Sequence, residues 1–175
     1  MYEPSDDSYF LQQFILNLKK EYEIGLDMGT GTGIIAKALT KKVKKVIACD
    51  IQKDVIQKLD LNIEKYQSNL FSNIPKKYLK KLDVITFNPP YLPLGEDKFD
   101  PELHGGILGV ETTIKFLKQA KDYLTKQGEL YFIASNNANL KFLELKIEEL
   151  GYKYEIKKEL KLFFEKLIIY KAKIK

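Results

Sequence analysis

Residues 23–40 read EIGLDMGTGTGIIAKALT, and the order of their chemistry decides the fold. EIGLDM is a short apolar run with an acid near its end, which predicts a strand. MGTGTG supplies a turn, and IIAKALTK (34–41) starts a helix. The same alternation continues downstream. KVIACD (45–50) is a second apolar strand closed by Asp50, and KDVIQKL (53–59) is a brief helix. IEKYQSNL (63–70) and LDVITF (82–87) supply a third and a fourth strand, the latter stopped by the prolines of NPPYLP. Strands separated by helical segments give a mostly parallel sheet covered on both faces.

Outward from this core, YFLQQFILNLKK (9–20) repeats apolar residues at helical spacing and ends in a basic pair, which predicts a helix before the first strand. GEDKFDPELHGGILG (95–109) carries too many turn formers and charges for a regular element and reads as a loop over the sheet edge. VETTIKFLKQAKDYL (110–124) is amphipathic, GELYFIAS (128–135) is a strand, and NLKFLELKIEEL (139–150) is a helix stopped by Gly151. YKYEIKKEL (152–160) and FFEKLIIYKA (163–172) are rich in β-formers with only a short link between them, which predicts an antiparallel pair at one edge. The sum is seven strands in an α/β fold, expected as one domain over residues 1–175.

Gly29, Gly31 and Gly33 stand between a strand and a helix, where a backbone without Cβ can turn tightly and approach a ligand. Their G-x-G-x-G spacing departs from the dinucleotide fingerprint and lacks the Lys and hydroxyl residue of a P-loop, which disfavours a phosphate chain. Asp27 is suited either to accept a bond from a cationic amino group or to hold the loop. Asp50 stands 17 residues beyond Gly33, enough for one helix and one strand, so it can meet the glycines at neighbouring strand ends and accept bonds from ribose hydroxyls. The plainer alternative is a tight turn with solvated acids. An adenosine-bearing cofactor without a phosphate chain fits the whole set best.

NPPY (88–91) follows the fourth strand. Its consecutive prolines restrict the backbone and lack N–H donors, leaving carbonyls free to face a substrate. The side-chain oxygen of Asn88 and the carbonyl of Pro89 could accept both hydrogens of a planar NH2 group, while Tyr91 lies flat against it. Catalysis would be positioning and electrostatic alignment, with little need for a strong base. His104, the sole histidine, reads as a loop residue, and Cys49 as core packing. The carboxylates show no zinc or calcium spacing, so no metal is expected. The N-terminal YEPSDDS either folds over the cofactor or caps the first helix through Asp7 or Ser8.

Composition sets limits. The 175 residues are 45% hydrophobic and 30% charged, the balance of a folded globular chain, with a formal charge of +5. All 29 basic residues are lysine, so a positive field is present without the bidentate fork that reads guanine or a carboxylate. No run reaches the roughly 18 apolar residues of a membrane span, and MYEPSDDSYF is acidic where a signal peptide would be basic, which predicts a cytoplasmic protein.

In this order the motifs resemble the Rossmann-like, S-adenosylmethionine-dependent methyltransferases with an NPPY motif. More narrowly, the chain is similar to the protein glutamine methyltransferases, in the short archaeal and eukaryotic type that acts on the class I translation termination factor. YEPSDD resembles that family's N-terminal segment, LDMGTGTG its cofactor loop, ACD its ribose-binding strand end and FNPPY its catalytic motif. The start at YEPSDD, with no helical domain ahead of it, resembles the short type. The resemblance implies methyl transfer to the side-chain amide of the Gln in a GGQ loop. Asn88 and Pro89 would hold that amide, with Tyr91 beside it. Tyr2, Pro4 and Asp7 would line the cofactor side, Asp27 and Gly29 would contact the methionine portion and Asp50 the ribose, with Thr30, Gly31 and Gly33 of the same loop also binding the cofactor. It also implies a small zinc-binding activator subunit in a heterodimer. Where the family has an acid near the adenine this chain has Asn69, a weaker acceptor. Transfer to an exocyclic amine of adenine or guanine in nucleic acid is the alternative that NPPY leaves open, since both acceptors are planar nitrogen groups.

Overall fold

The computed structural model describes residues 3–95, 98 and 100–175. In chain order its elements are α1 (Asp6–Leu16), β1 (Tyr22–Met28), α2 (Ile34–Leu39), β2 (Val43–Asp50), α3 (Lys53–Lys58), β3 (Glu64–Gln67) and β4 (Leu82–Phe87). There follow β5 (Leu92–Pro93), β6 (His104–Gly106), α4 (Glu111–Tyr123), β7 (Leu124–Ser135), α5 (Leu140–Glu149), β8 (Tyr152–Lys161) and β9 (Lys166–Ile174). Seven strands join in the order β3-β2-β1-β4-β7-β9-β8. The first five of these run parallel, and β9 is antiparallel to both β7 and β8, as the terminal hairpin predicts.

Strand periodicity divides the core into two layers. On β7, Leu130, Phe132 and Ala134 pack on one face with Phe116 and Leu117 of α4 and Leu143 of α5. The intervening Tyr131 and Ile133 pack on the other with Phe10, Leu11 and Ile15 of α1 and Leu39 of α2. Strand β9 repeats the division, with Ile168 and Tyr170 on the first face and Leu167 and Ile169 on the second. A central strand with both faces covered reads as a continuous apolar run, and cutting one such side chain back to alanine costs about 2–5 kcal/mol.

Several boundaries differ from the sequence reading, each for a local reason. Helix α1 starts at Asp6, because two acids in its first turn suit the helix dipole, and ends at Leu16, where the Asn17 side chain donates to the Gln13 carbonyl at 2.7 Å. The basic pair therefore lies beyond the helix, and Lys20 reaches Glu129 at 3.4 Å. Buried Glu129 also accepts from the hydroxyls of Tyr22 and Tyr131 and pairs with Lys173 at 2.7 Å, so its charge is compensated on every side. Strand β7 starts at Leu124, four residues before Gly128, with a register shift against β4. A Cβ at residue 128 would stand 2.9 Å from the Leu82 carbonyl oxygen, which only glycine avoids. Strand β3 is four residues long and stops before Asn69. The segment read as loop contains β6, which pairs with β5 in a separate two-stranded sheet. Among the described residues no helix is long and apolar enough to cross a membrane.

Candidate functional site

Parallel register assembles the site. Met28 stands opposite both Cys49 and Phe87, so the residues that follow, Gly29, Asp50 and Asn88, leave the sheet side by side at the carboxyl ends of three adjacent strands. The glycine turn is then fixed to β2. The Thr30 amide donates to the Cys49 carbonyl at 2.9 Å and the Gly31 amide to Asp50 Oδ2 at 3.0 Å. Gly33 ends the turn at φ +82°, and a Cβ there would fall 2.3 Å from Leu59 Cδ1. The plainer reading of the glycines, a tight turn, is correct as far as it goes, and the same turn walls a cavity.

Asp27 lies beneath that wall. Thr30 Oγ1 donates to its Oδ2 at 2.8 Å and Thr86 Oγ1 to its Oδ1 at 2.9 Å, so the carboxyl clamps the loop to β4. Burial pushes its pKa up to about 7, against the lowering effect of the two hydroxyls. Asp50 faces the cavity. Its Oδ1 accepts from the Gln52 amide at 2.9 Å, which holds the carboxylate at the strand end with lone pairs to spare. Asn69 is exposed at the rim, carried there by a turn in which Leu70 takes φ +49°.

NPPY forms the opposite wall. Asn88 Oδ1 is buried, lines the cavity and has no hydrogen-bond partner among the described residues. A buried acceptor left unmatched costs about 1–3 kcal/mol, so this atom is poised for a donor from outside. Tyr91 donates its hydroxyl to Asp7 Oδ2 at 3.1 Å, and the other oxygen of Asp7 accepts from Ser5 Oγ at 2.8 Å. The N-terminal segment bears on both readings: Ser5 takes the N-cap position with no side-chain bond to the helix amides, while residues 4–8 line the cavity and are tied to NPPY through Asp7. Tyr2 lies outside the described residues. His104 lines the cavity too, but its Nδ1 accepts from the Asp100 amide at 2.9 Å within its own loop. Cys49 is fully buried beside Met28, as expected of core packing.

The cavity measures about 760 Å³, within the range of small-molecule sites. A turn without Cβ atoms, a carboxylate at Asp50 and an amide at Asn69 along one side fit an adenosine-bearing cofactor. The orphaned Asn88 oxygen on the other side fits an amide or amine acceptor. The sequence reading missed one wall: Leu162 and Glu165 of the β8–β9 turn and Leu167 at the start of β9 close the cavity, with Glu165 Oε2 accepting from Ser135 Oγ at 2.8 Å. The arrival of this turn depends on β9 returning along β7, which no local motif announces. The one visible signal is LFFE, two phenylalanines where a hairpin turn favours glycine or asparagine.

Residues 8–163 match the family model of the methyltransferase small domain. The chain is 36% identical to a provisionally named protein N5-glutamine methyltransferase of Methanocaldococcus jannaschii, over 98% of this chain and 91% of that one. It is 32% identical to the release factor glutamine methyltransferase of Lactococcus lactis over 73% of its length, and spans 53% of that enzyme. Among solved structures it superposes on a chain of the E. cuniculi Mtq2–Trm112 complex, described as responsible for methylation of the eRF1 translation termination factor. That match has a TM-score of 0.82 and 31% identity, over 99% of this chain and 98% of that one.

Proposed function

We propose that this chain, which belongs to the methyltransferase small domain family and within it to the S-adenosylmethionine-dependent glutamine N5-methyltransferases, methylates the side-chain amide nitrogen of the GGQ glutamine in a class I translation termination factor. One observation carries the reading: a buried, unmatched acceptor on Asn88 inside a cavity walled by the glycine turn and Asp50. Bound S-adenosylmethionine supplies an electrophilic methyl group.

Asn88 Oδ1 and the Pro89 carbonyl accept the two amide hydrogens of the glutamine, holding its nitrogen in one plane and one direction. Tyr91, braced by Asp7, packs beside the amide and restricts its rotation. An amide nitrogen is a poor nucleophile, so fixed orientation and two pre-aligned acceptors supply the rate, and no histidine takes part. Asp50 holds the ribose hydroxyls and Asn69 the adenine amino group. Gly29, Thr30, Gly31 and Gly33 bear against the methionine portion, with Asp27 acting through Thr30 from beneath. Pro4 and Asp7 close the cofactor side, with Tyr2 expected next to them.

We further propose that the chain works in the cytoplasm as a heterodimer with a small zinc-binding activator subunit. The likeness to a chain solved together with Trm112 supports the pairing. The whole reading is tested by radiolabelled methyl transfer to the termination factor, to its GGQ-to-GGA variant and to total tRNA or rRNA, with and without the zinc-binding subunit. Label on the factor that vanishes in the GGA variant is the expected result. Label on RNA alone would overturn the acceptor and favour an exocyclic base amine, leaving the roles of Asn88 and Pro89 intact.

A further inference from the structure

The most exposed large apolar side chains among the described residues are Phe163 and Phe164, at 92% and 87%. They form the tip of the β8–β9 turn, in contact with each other edge to face at 4.6 Å between ring centres. Nothing local calls for them. The turn is closed by the Leu162 amide donating to the Glu165 carbonyl at 2.8 Å, a backbone bond indifferent to what stands between. Leaving two phenylalanines in water forfeits burial that any polar pair would not miss.

Their position supplies a reason. The residues on either side, Leu162 and Glu165, line the cavity that holds Asn88, so the aromatic pair stands on its rim. Leu103, just before β6, and Ile51 line the same cavity and are also exposed, at 39% and 59%. An acceptor reaching Asn88 crosses this apolar rim. We infer that the Phe163–Phe164 tip is the docking element for the body of the acceptor protein, seating an apolar surface beside its glutamine-bearing loop. The inference rests on the function proposed above and specifies how that acceptor is held.

The chemistry of the tip favours a protein over a nucleic acid. Glu165 sets a carboxylate at the mouth, where it would repel a phosphate backbone. The hairpin lysines Lys157 and Lys166 pair with Glu155 at 3.3 Å and Glu159 at 2.8 Å, so the charge on this part of the hairpin is of mixed sign rather than a basic stripe. An activator subunit or a second copy seated on the tip would obstruct the mouth through which the acceptor enters.

The test compares the full chain with its Phe163→Ser/Phe164→Ser double variant, both with the zinc-binding subunit present. The acceptors are the intact termination factor, a short GGQ peptide that fills only the cavity, and total tRNA. The double variant should raise KM for the intact factor about tenfold or more with kcat within about threefold, since aromatic anchors dominate such interfaces. KM for the peptide and the thermal midpoint should not move, because the substituted rings are exposed. An unchanged KM for the intact factor overturns the inference. So does loss of tRNA labelling in the variant, which would make the tip a base-stacking platform, or a shift from dimer to monomer with KM unchanged, which would make it a self-contact. A wild-type chain that labels no factor refutes the function proposed above, whatever the variant does.

Discussion

Replacing Asn88 by alanine should make the protein more stable and nearly inactive. Asn88 Oδ1 is buried without a partner, so the folded protein bears a desolvation cost of about 1–3 kcal/mol that alanine does not. Part of this gain is returned as lost packing around the shortened side chain, leaving a net stabilisation of about 1 kcal/mol. For a chain of this size that raises the thermal midpoint by about 2–4 °C. Catalysis moves the other way. One of two acceptors aimed at the amide is gone, and losing one pre-aligned hydrogen bond of this kind costs about 2.7–4 kcal/mol, or 10²–10³ in kcat. Calorimetry of both proteins without acceptor, paired with initial rates on the termination factor, checks both halves. A variant that melts several degrees lower while keeping most of its rate would refute the reasoning, because Asn88 would then be a structural residue satisfied in the free protein.

Three other substitutions bear on the cofactor side. Asp27 has a pKa raised to about 7 by burial, against an ordinary 3.8, so the folded state binds more protons than the unfolded one between those values. Its contribution is present in full below 3.8 and is lost as pH rises through about 7. Denaturant titrations should therefore show wild type losing stability relative to Asp27→Asn, by at most about 1.4 kcal/mol per pH unit, and a gap that moves the other way refutes the assignment. Asn69→Ala should weaken S-adenosylmethionine about 2- to 12-fold in a calorimetric titration, the worth of one neutral hydrogen bond; unchanged affinity would remove Asn69 from the adenine site. Gly33→Ala places a Cβ 2.3 Å from Leu59 Cδ1 at φ +82°. It should lose cofactor binding and at least about 1–2 kcal/mol of stability, and a second change, Leu59→Ala, should restore the steric part only.

What the sequence made legible was whatever depends on neighbours along the chain. The strand, glycine turn and helix of residues 23–40 stand where their alternation predicts, and Asp50 meets Gly31 because the intervening helix and strand have the length to bring them together. The roles of Asp7 and Tyr91 were half legible. Both residue types suggested a site, but their bond spans 84 positions and is set by packing of α1 on the sheet. The boundaries of α1 and β3 were missed because a side-chain cap at Asn17 and a left-handed turn at Leu70 override propensity. The wall formed by Leu162 and Glu165 showed in the sequence only as an unusually apolar turn, since its place at the cavity exists only once β9 has paired with β7.

The cavity takes its walls from residues 4–8, from the carboxyl ends of the βαβ core and from the β8–β9 turn, so nearly every crossover of the chain must be complete before it exists. No partly folded form can hold the reaction geometry. Methyl transfer therefore serves as a probe of global folding: in a denaturant series its loss should coincide with loss of the central strands rather than precede it, as a cooperative two-state transition requires. High sequence separation of these contacts also makes recovery of activity after refolding slow, governed by the last long-range strand pairing rather than by helix formation.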